Sequence, residues 1–340
     1  MRVMHILPEL DLGGVERHVI DLANEQVRRG WDVCVVSAGG RMESQFSPGV
    51  KLWHLPVHRK NLLTGAFCAC RIARCVKSER YDLLHAHSRV PAWIAWWAAS
   101  LASVPFVVTA HGIFNTRVRL IYAPYRAANC AVCVSEAVRS TMRDCFYENT
   151  KVIVNGIRRP SRRWNPANKG QNKLLFVGRL SFVKGLQDVF PALPTDLPWS
   201  LDVVGEGPQL AEWAEQCRSL GIADRVTFHG YSDKVEEFMA DASCLLFPSH
   251  REGMPLTLAQ AVLMGLPVLA SDIEPVAEMM GGKDGLVPVG DLAAWKTTLT
   301  DFLQGKLEPR PFPVSCVPTL EKMVDELEAV YRSCLEPSAE

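Results

Sequence analysis

The stretch FPSHREGMPLTLAQAVLMG, from Phe247 to Gly265, decides the fold. A short apolar run ends at Phe247, a polar loop delivers Glu252, and an amphipathic helix begins near Pro255, a residue suited to a first helical position. Strand, loop and helix in this order are the repeating unit of a parallel α/β sheet. Because open parallel sheets bind ligands at the carboxyl ends of their strands, the loop at Glu252 is a candidate site.

The same alternation runs through the whole chain of 340 residues, which is longer than one hydrophobic core usually serves. The segment from Asn155 to Gly170 interrupts it, because it is polar, rich in Arg, Pro and Asn, and typical of a linker. We therefore predict an α/β protein of two Rossmann-like, doubly wound domains that face each other across a cleft. The predicted bounds are 1–157 and 158–318, with a helix over 319–340 that packs back on the first domain.

Hydrophobic patterning predicts the individual elements. In the first half the predicted strands are Val3–Leu7, Val33–Ser37, Leu52–Leu55, Leu83–Ala86, Phe106–Ala110, Ala131–Val134 and Val152–Val154. In the second half they are Leu174–Val177, Leu201–Val204, Val226–Phe228, Cys244–Phe247, Val268–Ala270 and Leu286–Val287. The predicted helices include Gly14–Arg29, Phe67–Glu79, Gln209–Leu220, Leu256–Met264 and Leu320–Cys334.

The composition is that of a soluble enzyme, with 48% hydrophobic and 22% charged residues. No apolar run reaches the roughly 18 residues that span a bilayer, and the first apolar stretch is too short for a signal peptide, so we expect a cytoplasmic protein. Its eleven cysteines are then expected to be reduced. Cys130 and Cys133 have the spacing of zinc ligands, but they lie in an apolar run without a matching second pair, which favours buried thiols.

Charge is distributed unevenly, although the formal net charge is zero. Residues 1–157 carry 19 Lys and Arg against 12 Asp and Glu, and the remainder carries 18 against 25. A basic first half suits an anionic surface such as phospholipid headgroups or a diphosphate-bearing acceptor, although a solvated charge distribution without a partner explains it as well. The tryptophan-rich segment PAWIAWWAASLAS, residues 91–103, suits either a membrane interface or a buried helix, and we expect burial.

Glycines and cations follow two of the predicted strands. Gly13 and Gly14 lie after the first strand and directly before a helix, where backbone N–H groups can bind an anion. The pattern is not GxGxxG, so it does not favour a dinucleotide, and a tight turn without a ligand is the alternative. The stretch VGRLSFVKG brings Arg179 and Lys184 to the end of the first strand of the second half, where two cations would neutralise a diphosphate.

Together these motifs resemble the family 4 glycosyltransferases, which have the GT-B fold. The resemblance rests on GRLSFVKG, VVGEGP, FHGYS, PSHREGMPLTLAQAVLMGLPVLASD, LVPVGD and, near the start, LDLGGVERHVIDLANEQVRRGWDV. It implies an acceptor-binding first domain and a second domain that binds a nucleotide sugar, expected to be a UDP- or GDP-hexose. It also implies hexose transfer with retention of anomeric configuration, and no cofactor or metal. The chain has no Asp-x-Asp, which agrees with a diphosphate bound by cations and a helix start instead.

The resemblance assigns roles to individual residues. The residues that match the donor site are Gly13, Gly14, Arg179, Lys184, Glu206, Gly207, Tyr231, Gly253, Met254, Pro255, Leu256 and Gln260. The residues that match catalytic groups are Glu252, His111, Arg179 and Lys184. Within this set Arg179 and Lys184 would hold the diphosphate, and Glu252 would contact the transferred sugar.

The other roles concern the two ends of the donor. Glu206, Gly207 and Tyr231 would lie near the nucleobase, and the Gly13–Gly14 loop would form the floor of the cleft. His111, at the end of a predicted strand, would lie near the reacting sugar, with a satisfied structural histidine as the alternative. His87 ends a neighbouring strand in the same way, and we expect it to be structural.

One residue departs from the family pattern. The family has a pair of glutamates separated by seven residues, of which Glu252 matches the first. At the position of the second glutamate this chain has Gln260. A carboxylate accepts hydrogen bonds from both ribose hydroxyls, whereas an amide must donate through one of its atoms, so we expect altered ribose binding and an active enzyme.

The leading hypothesis is therefore a hexosyltransferase that acts on a lipid-linked or lipopolysaccharide-type glycan in a bacterial cytoplasm, with peripheral contact to an anionic membrane as a further expectation and no nucleic-acid partner. The alternatives are a nucleotide-sugar epimerase of the same architecture and a non-catalytic nucleotide-sugar-binding homologue.

Overall fold

The computed structural model describes residues 1–113, 119–141 and 149–336. The chain divides into two compact units, one of residues 1–158 together with 318–340, and one of residues 159–317. We call them unit 1 and unit 2. Each contains one fully parallel sheet, as strands alternating with helices predict.

Unit 1 is built on a seven-stranded sheet. Its strands are β1 (Arg2–Ile6), β2 (Asp32–Ser37), β3 (Val50–His54), β4 (Leu83–His87), β5 (Phe106–Ala110), β6 (Cys130–Cys133) and β7 (Thr150–Val152). Its helices are α1 (Gly14–Arg28), α2 (Leu62–Glu79), α3 (Arg89–Ala102), α4 (Ala123–Ala127), α5 (Glu136–Thr141) and, from the end of the chain, α12 (Leu320–Leu335). The strand order is β3-β2-β1-β4-β5-β6-β7, so the direction of winding reverses between β1 and β4. Ligand sites of open α/β sheets lie at such a reversal.

Unit 2 is built on a five-stranded sheet. Its strands are β8 (Lys173–Val177), β9 (Ser200–Val204), β10 (Val226–Gly230), β11 (Cys244–Phe247) and β12 (Val268–Ala270). Its helices are α6 (Leu186–Val189), α7 (Leu210–Ser219), α8 (Val235–Asp241), α9 (Leu256–Met264), α10 (Glu274–Met280) and α11 (Leu292–Leu303). The order β10-β9-β8-β11-β12 reverses between β8 and β11. The core includes the fully buried rings of Trp213 and Trp295.

The strand expected at Leu286–Val287 is wrong. Val287 forms one isolated bridge to Ser271 and no strand, because the chain passes the sheet edge at a single residue. At the edge of unit 1, β7 begins at Thr150, two residues before the predicted start. Both errors fall on edge elements, where few neighbours fix the ends.

Helix α2 begins five residues earlier than predicted. The side chain of Asn61 accepts hydrogen bonds from the backbone N–H groups of Leu63 and Thr64, so it is the N-cap. The first turn exposes Leu62 and Leu63, and this weakens the amphipathic pattern on which the prediction relied.

The segment expected to be a linker is bound to unit 2 over most of its length. The backbone N–H and hydroxyl of Ser161 both donate to Glu236, and the indole of Trp164 donates to the carbonyl of Ala242 at 2.8 Å. Its polar composition therefore reflects hydrogen bonding along a surface, which composition alone does not distinguish from a free linker.

Helix α12 packs into the core of unit 1. Leu320, Met323, Leu327 and Tyr331 lie on one face and are at most 1% exposed, as helical spacing in the sequence predicts. The hydroxyl of Tyr331 lies 2.6 Å from Nδ1 of His85 on β4, which ties this last helix to the centre of the sheet.

The tryptophan-rich segment forms α3, and burial is confirmed for its alanine-rich face only. Trp93, Trp96 and Trp97 remain half-buried. Gly65 of α2 lies so close to Trp97 that a Cβ there would be 3.1 Å from the ring, so the two helices pack tightly.

Cys130 and Cys133 are buried thiols on β6. Residues three apart on a strand face opposite sides of the sheet, so the pair cannot hold one zinc ion between them. Burial raises the pKa of Cys130 to about 11 and that of Cys133 to about 12. Among the described residues no helix has both the length and the apolar character needed to cross a membrane.

Candidate functional site

Four loops of unit 2 meet at the carboxyl edge of its sheet. They follow β8, β9, β10 and β11, which are neighbours in the sheet, and comprise residues 178–185, 205–208, 230–231 and 248–256. We call these four segments the donor loops. The first and last of them flank the point where the strand order reverses, which is where open α/β sheets bind ligands. Most of the residues predicted to bind the donor lie there.

Two glycines let the loop after β9 lie against the loop after β8. A Cβ on Gly205 would lie 2.0 Å from the carbonyl oxygen of Gly178, and one on Gly207 would lie 2.1 Å from that of Leu180. Gly205 also has a φ of +138°, which other residues rarely adopt. The backbones are then joined by a bond from the N–H of Leu180 to the carbonyl of Glu206 at 2.9 Å.

The residues expected at the nucleobase lie together. The N–H of Gly205 donates to the carbonyl of Gly230 at 2.8 Å, and the N–H of Tyr231 donates to the Glu206 carboxylate at 3.4 Å. Tyr231 is 39% exposed, and it lies beside the Glu206 carboxylate at the end of β10.

The loop after β8 is also held against the loop after β11. Gly185 has a φ of +72°, and a Cβ there would lie 1.9 Å from the carbonyl oxygen of Pro248. The N–H of His250 donates to the carbonyl of Val183 at 2.8 Å, and the His250 ring is bonded to Asp188. This backbone contact fixes the position of Lys184 relative to the β11 loop.

The result is a direct ion pair between two predicted site residues. Lys184 Nζ donates to Glu252 Oε1 at 2.6 Å, and the same oxygen accepts a hydrogen bond from Ser249 Oγ at 2.8 Å. The Glu252 side chain is 12% exposed and that of Lys184 is 26% exposed, so both charges are partly desolvated and water screens their attraction less than it would at the surface. Ser249 was missed in the sequence, although a polar residue two positions after a buried strand is a recognisable signal.

The remaining donor-site residues predicted in unit 2 lie in the loops after β8 and β11 and in α9. Gly253, Met254 and Pro255 are buried, and α9 begins at Leu256, so its first N–H groups lie at the same sheet edge. Gln260 is half-buried at the fifth position of α9, and Arg179 is exposed directly after Gly178. The arrangement offers two cations, a helix start and one oriented carboxylate, which suits a diphosphate and an adjacent group bearing hydroxyls.

The remaining predicted residues lie in unit 1. Gly13 has an extended backbone with a φ of −172°, and Gly14 opens α1 directly after the β1 loop. A Cβ on Gly13 would meet only the flexible carboxylate of Glu16, so the position needs no unusual backbone. The Glu16 carboxylate therefore lies against Gly13 at the start of α1, and an anion could bind there only if that side chain moves.

His111 follows β5 and belongs to a cluster of five histidines. Its Nε2 lies 3.1 Å from Nδ1 of His87, whose Nε2 lies 3.0 Å from Nδ1 of His5. The rings of His18 and His85 contact these rings in tilted or edge-on arrangements. His87 is fully buried with both ring nitrogens bonded, so the expected structural role fits its geometry.

Burial keeps these imidazoles neutral. Desolvation lowers the pKa of His5 to about 4 and that of His18 to about 3. It likewise lowers the pKa of His111 well below its usual value, with His18 adding to the effect. His111 therefore presents a neutral ring at neutral pH, able to exchange hydrogen bonds with hydroxyls but not to act as a cation.

Comparison with known proteins identifies the family. Residues 12–159 match the family described as Glycosyltransferase Family 4, and residues 158–312 match the one described as Glycosyl transferases group 1. The chain belongs to the family 4 glycosyltransferases. The two matches meet at residues 158–159, where the chain passes from unit 1 to unit 2.

This glycosyltransferase has relatives that differ in acceptor. It is 27% identical over 346 residues to the phosphatidyl-myo-inositol mannosyltransferase of Mycobacterium leprae, covering 89% of this chain and 88% of the relative. It is 33% identical to the lipopolysaccharide 1,6-galactosyltransferase of Salmonella typhimurium over 121 residues, which are 34% of this chain and 32% of the relative.

A solved structure confirms the predicted fold of the glycosyltransferase. The Anabaena protein HepE, solved in complex with UDP and glucose, superimposes with a TM-score of 0.76 at 20% identity and covers 98% of this chain and 100% of its own. The two α/β units are therefore those of a GT-B glycosyltransferase, and the fold predicted from the motifs is correct.

Proposed function

We propose that this glycosyltransferase moves a hexose from a nucleotide diphosphate sugar, UDP- or GDP-linked, to a lipid-linked or lipopolysaccharide-type glycan, with retention of anomeric configuration and without a metal at the diphosphate. In this reaction the bond between the anomeric carbon and the diphosphate breaks. A bond to an acceptor oxygen forms, and the proton of the acceptor hydroxyl is released. The enzyme works in the cytoplasm, at the inner face of the membrane that holds its acceptor.

The contact of Lys184 with Glu252 carries the proposal. A diphosphate bound at the donor loops would attract the Lys184 ammonium with more charge than Glu252 does. Glu252 would remain oriented by Ser249 and would be free to accept hydrogen bonds from the sugar. Donor binding and positioning of the sugar are then coupled through one lysine.

The leaving group needs its charge stabilised. Arg179, Lys184 and the N-terminus of α9 lie at one sheet edge, and together they supply two positive charges and a helix dipole to the developing diphosphate. The neutral ring of His111 is suited to a hydroxyl of the sugar rather than to phosphate. The HepE structure, which holds UDP and glucose, supports a nucleotide sugar as the donor.

The acceptor class rests on relatives and on the surface of unit 1. The mycobacterial relative is named for a phosphatidyl-inositol acceptor and the Salmonella relative for lipopolysaccharide. On unit 1, Leu62, Leu63 and Phe67 at the start of α2 are 77%, 83% and 52% exposed. Exposed Arg59 and Lys60 precede them, and this combination of apolar and basic side chains suits an anionic membrane surface.

Replacement of Glu252 tests the catalytic assignment. In Glu252→Ala we expect kcat to fall by at least about 100-fold, because one oriented group at the reacting sugar is lost. Donor affinity should change by less than about threefold, because the diphosphate still meets both cations. The measurement is product formation beside calorimetric donor binding, with the surface substitution Glu215→Ala as control. Unchanged kcat in Glu252→Ala contradicts the assignment.

Ligand screening identifies the donor, and product analysis distinguishes a transferase from the two alternative functions. Screening UDP, GDP, ADP and CDP sugars by thermal shift identifies the donor, because a ligand that binds the folded state raises the melting temperature. Product analysis with and without a glycolipid acceptor then excludes an epimerase, which needs only the donor. If the protein binds the donor but forms no product with any acceptor tested, the result supports the non-catalytic alternative.

Membrane contact is tested at the start of α2. We expect the wild type to co-sediment with vesicles of anionic phospholipid at low salt, and Leu62→Ser with Leu63→Ser to lower the bound fraction by at least about threefold. Val314→Ser, which alters an exposed apolar residue of unit 2, should bind as the wild type does. Equal binding to neutral and anionic vesicles contradicts an anionic preference.

A further inference from the structure

The histidine cluster of unit 1 contains an unusual ring. His18, on α1, is 5% exposed, and no described residue satisfies either of its ring nitrogens with a hydrogen bond of normal geometry. The Asn155 side chain is near enough to raise the pKa of His18 by a hydrogen bond, but neither Oδ1 of Asn155 nor a ring nitrogen of His18 makes a hydrogen bond of normal geometry. Buried polar groups of proteins are nearly always hydrogen-bonded, so an imidazole with two buried, unpaired nitrogens requires an explanation. The ring lies edge-on to His111, with centroids 4.8 Å apart.

The neighbouring hydrogen bonds determine which nitrogen of His87 carries a lone pair. With Oε1 of Gln26 2.7 Å from Nε2 of His5, His5 donates from Nε2, and its Nδ1 accepts the Nε2–H of His87. Nδ1 of His87 then carries a lone pair that points at Nε2 of His111, 3.1 Å away. A histidine whose far nitrogen donates to a fixed acceptor is the usual form of a metal-ligating histidine.

We propose that His18, Nδ1 of His87 and Nε2 of His111 form a binding site for a transition-metal ion of the Zn²⁺ type. One potential ligand atom from each of the three lies within 4.8 Å of the others. Nitrogens on a tetrahedral zinc ion at about 2.0–2.1 Å are about 3.3 Å apart, close to the spacing of His87 and His111. His18 must move to bring a ring nitrogen from within 4.8 Å of the other two to this spacing.

The surroundings suit such an ion. His5 and Gln26 supply the outer hydrogen bonds that orient His87. His111 is half-buried, so the fourth position is reachable for water or a substrate oxygen.

A second group of histidines in the cluster fits less well. His5, His85 and His87 also have ligand atoms within reach of one another. However, His85 is bonded through one nitrogen to Tyr331 and through the other to Thr109, and His5 is bonded to Gln26. An ion there would replace several buried hydrogen bonds, whereas at His18 it would replace one, between His87 and His111, and would satisfy an unpaired group.

The site shares His111 with the proposed sugar contact, but it shares no residue with the diphosphate-binding loops of unit 2. Metal-free binding of the donor concerns unit 2, and the three histidines belong to unit 1. The test therefore reads metal binding and not transfer, so its failure and a failure of the proposed function are distinguishable.

The experiment is a titration of chelator-treated full-length protein with Zn²⁺, against a chromophoric competitor at neutral pH, and with Co²⁺ by visible absorption. We expect one tight ion per chain and the intense absorption of four-coordinate Co²⁺ without a sulfur charge-transfer band. In His18→Asn and in His111→Asn the Zn²⁺ affinity should fall by at least about tenfold. His54→Asn, which changes an exposed histidine of the same unit, should bind as the wild type does.

Three results overturn the proposal: no tight ion in the wild type, a sulfur charge-transfer band that assigns the ion to cysteine, or wild-type affinity in both His18→Asn and His111→Asn. Circular dichroism checks the folding of each variant. If neither variant folds, the Co²⁺ spectrum of the wild type decides, because nitrogen ligands in four-coordinate geometry support the site and octahedral geometry overturns it.

Discussion

Gly205 and Gly207 determine how closely the donor loops approach one another. Their missing side chains let the loop after β9 touch the backbone of the loop after β8, and this brings Glu206 beside Tyr231. The motif VVGEGP contains both glycines, but the sequence does not tell which backbone they approach. The motif therefore marked this loop as part of the site, but the backbone contact that requires glycine at both positions is visible only in the structure.

Gly207→Ala tests that reason. Its Cβ would lie 2.1 Å from the carbonyl oxygen of Leu180, so a backbone must shift, and we expect a loss of about 1–3 kcal/mol in the free energy of unfolding. Donor affinity should fall as well, because the shift separates two donor loops. Denaturant unfolding and calorimetric titration with the donor are the measurements.

Gly221→Ala is the matched control for Gly207→Ala. Gly221 has a φ of +67°, but a Cβ there would meet no atom within 4 Å, so its substitution strains the backbone without touching the loops. It should lower stability by roughly 1–2 kcal/mol and leave donor affinity unchanged. A normal donor affinity in Gly207→Ala would mean that the close approach is not needed for the site.

Helix α12 illustrates what an element contributes. Its apolar residues recur at helical spacing, so its existence and buried face were predictable from the sequence. The sequence pattern does not show which elements these residues pack against. In the structure α12 packs against β1, β4 and β6, which are distant in the chain. The contact of Tyr331 with His85 places the same helix beneath the histidine cluster.

Leu327→Ala tests the packing of α12. The side chain is 1% exposed, so its truncation should lower the free energy of unfolding of unit 1 by about 2–5 kcal/mol. Lys322→Ala, on the exposed face of the same helix, should change it by no more than about 0.5 kcal/mol. Urea unfolding followed by tryptophan fluorescence compares the two, and equal stabilities would place Leu327 outside the core.

At the scale of the molecule, the buried histidines make folding depend on pH. His5 is faced by His18, His85, His87 and the amide of Gln26, and burial lowers its pKa to about 4. In the unfolded chain the same group titrates near its ordinary value of about 6.5. Between these values the folded protein binds fewer protons than the unfolded chain, so acid favours unfolding.

We therefore expect the His5 contribution to the free energy of unfolding of the metal-free protein to be constant above about pH 6.5. It should fall as the pH is lowered from about 6.5 to about 4. The slope from this residue is at most about 1.4 kcal/mol per pH unit. Urea unfolding across this range measures it, and His5→Gln should reduce the slope while His54→Asn should not. An identical pH dependence in His5→Gln would contradict the assignment.

The sequence by itself determined the α/β class, the family and the residues that follow each strand, because periodicity and local motifs are properties of neighbouring residues. It also marked Arg179, Lys184 and Glu252 as candidates. Only the tertiary structure decided that Lys184 touches Glu252 and that Ser249 orients it, since those contacts depend on which strands are adjacent. It also decided that histidines from β1, β4, α1 and the end of β5 share one cluster. Strand order and packing are set by the whole core, which no local pattern encodes.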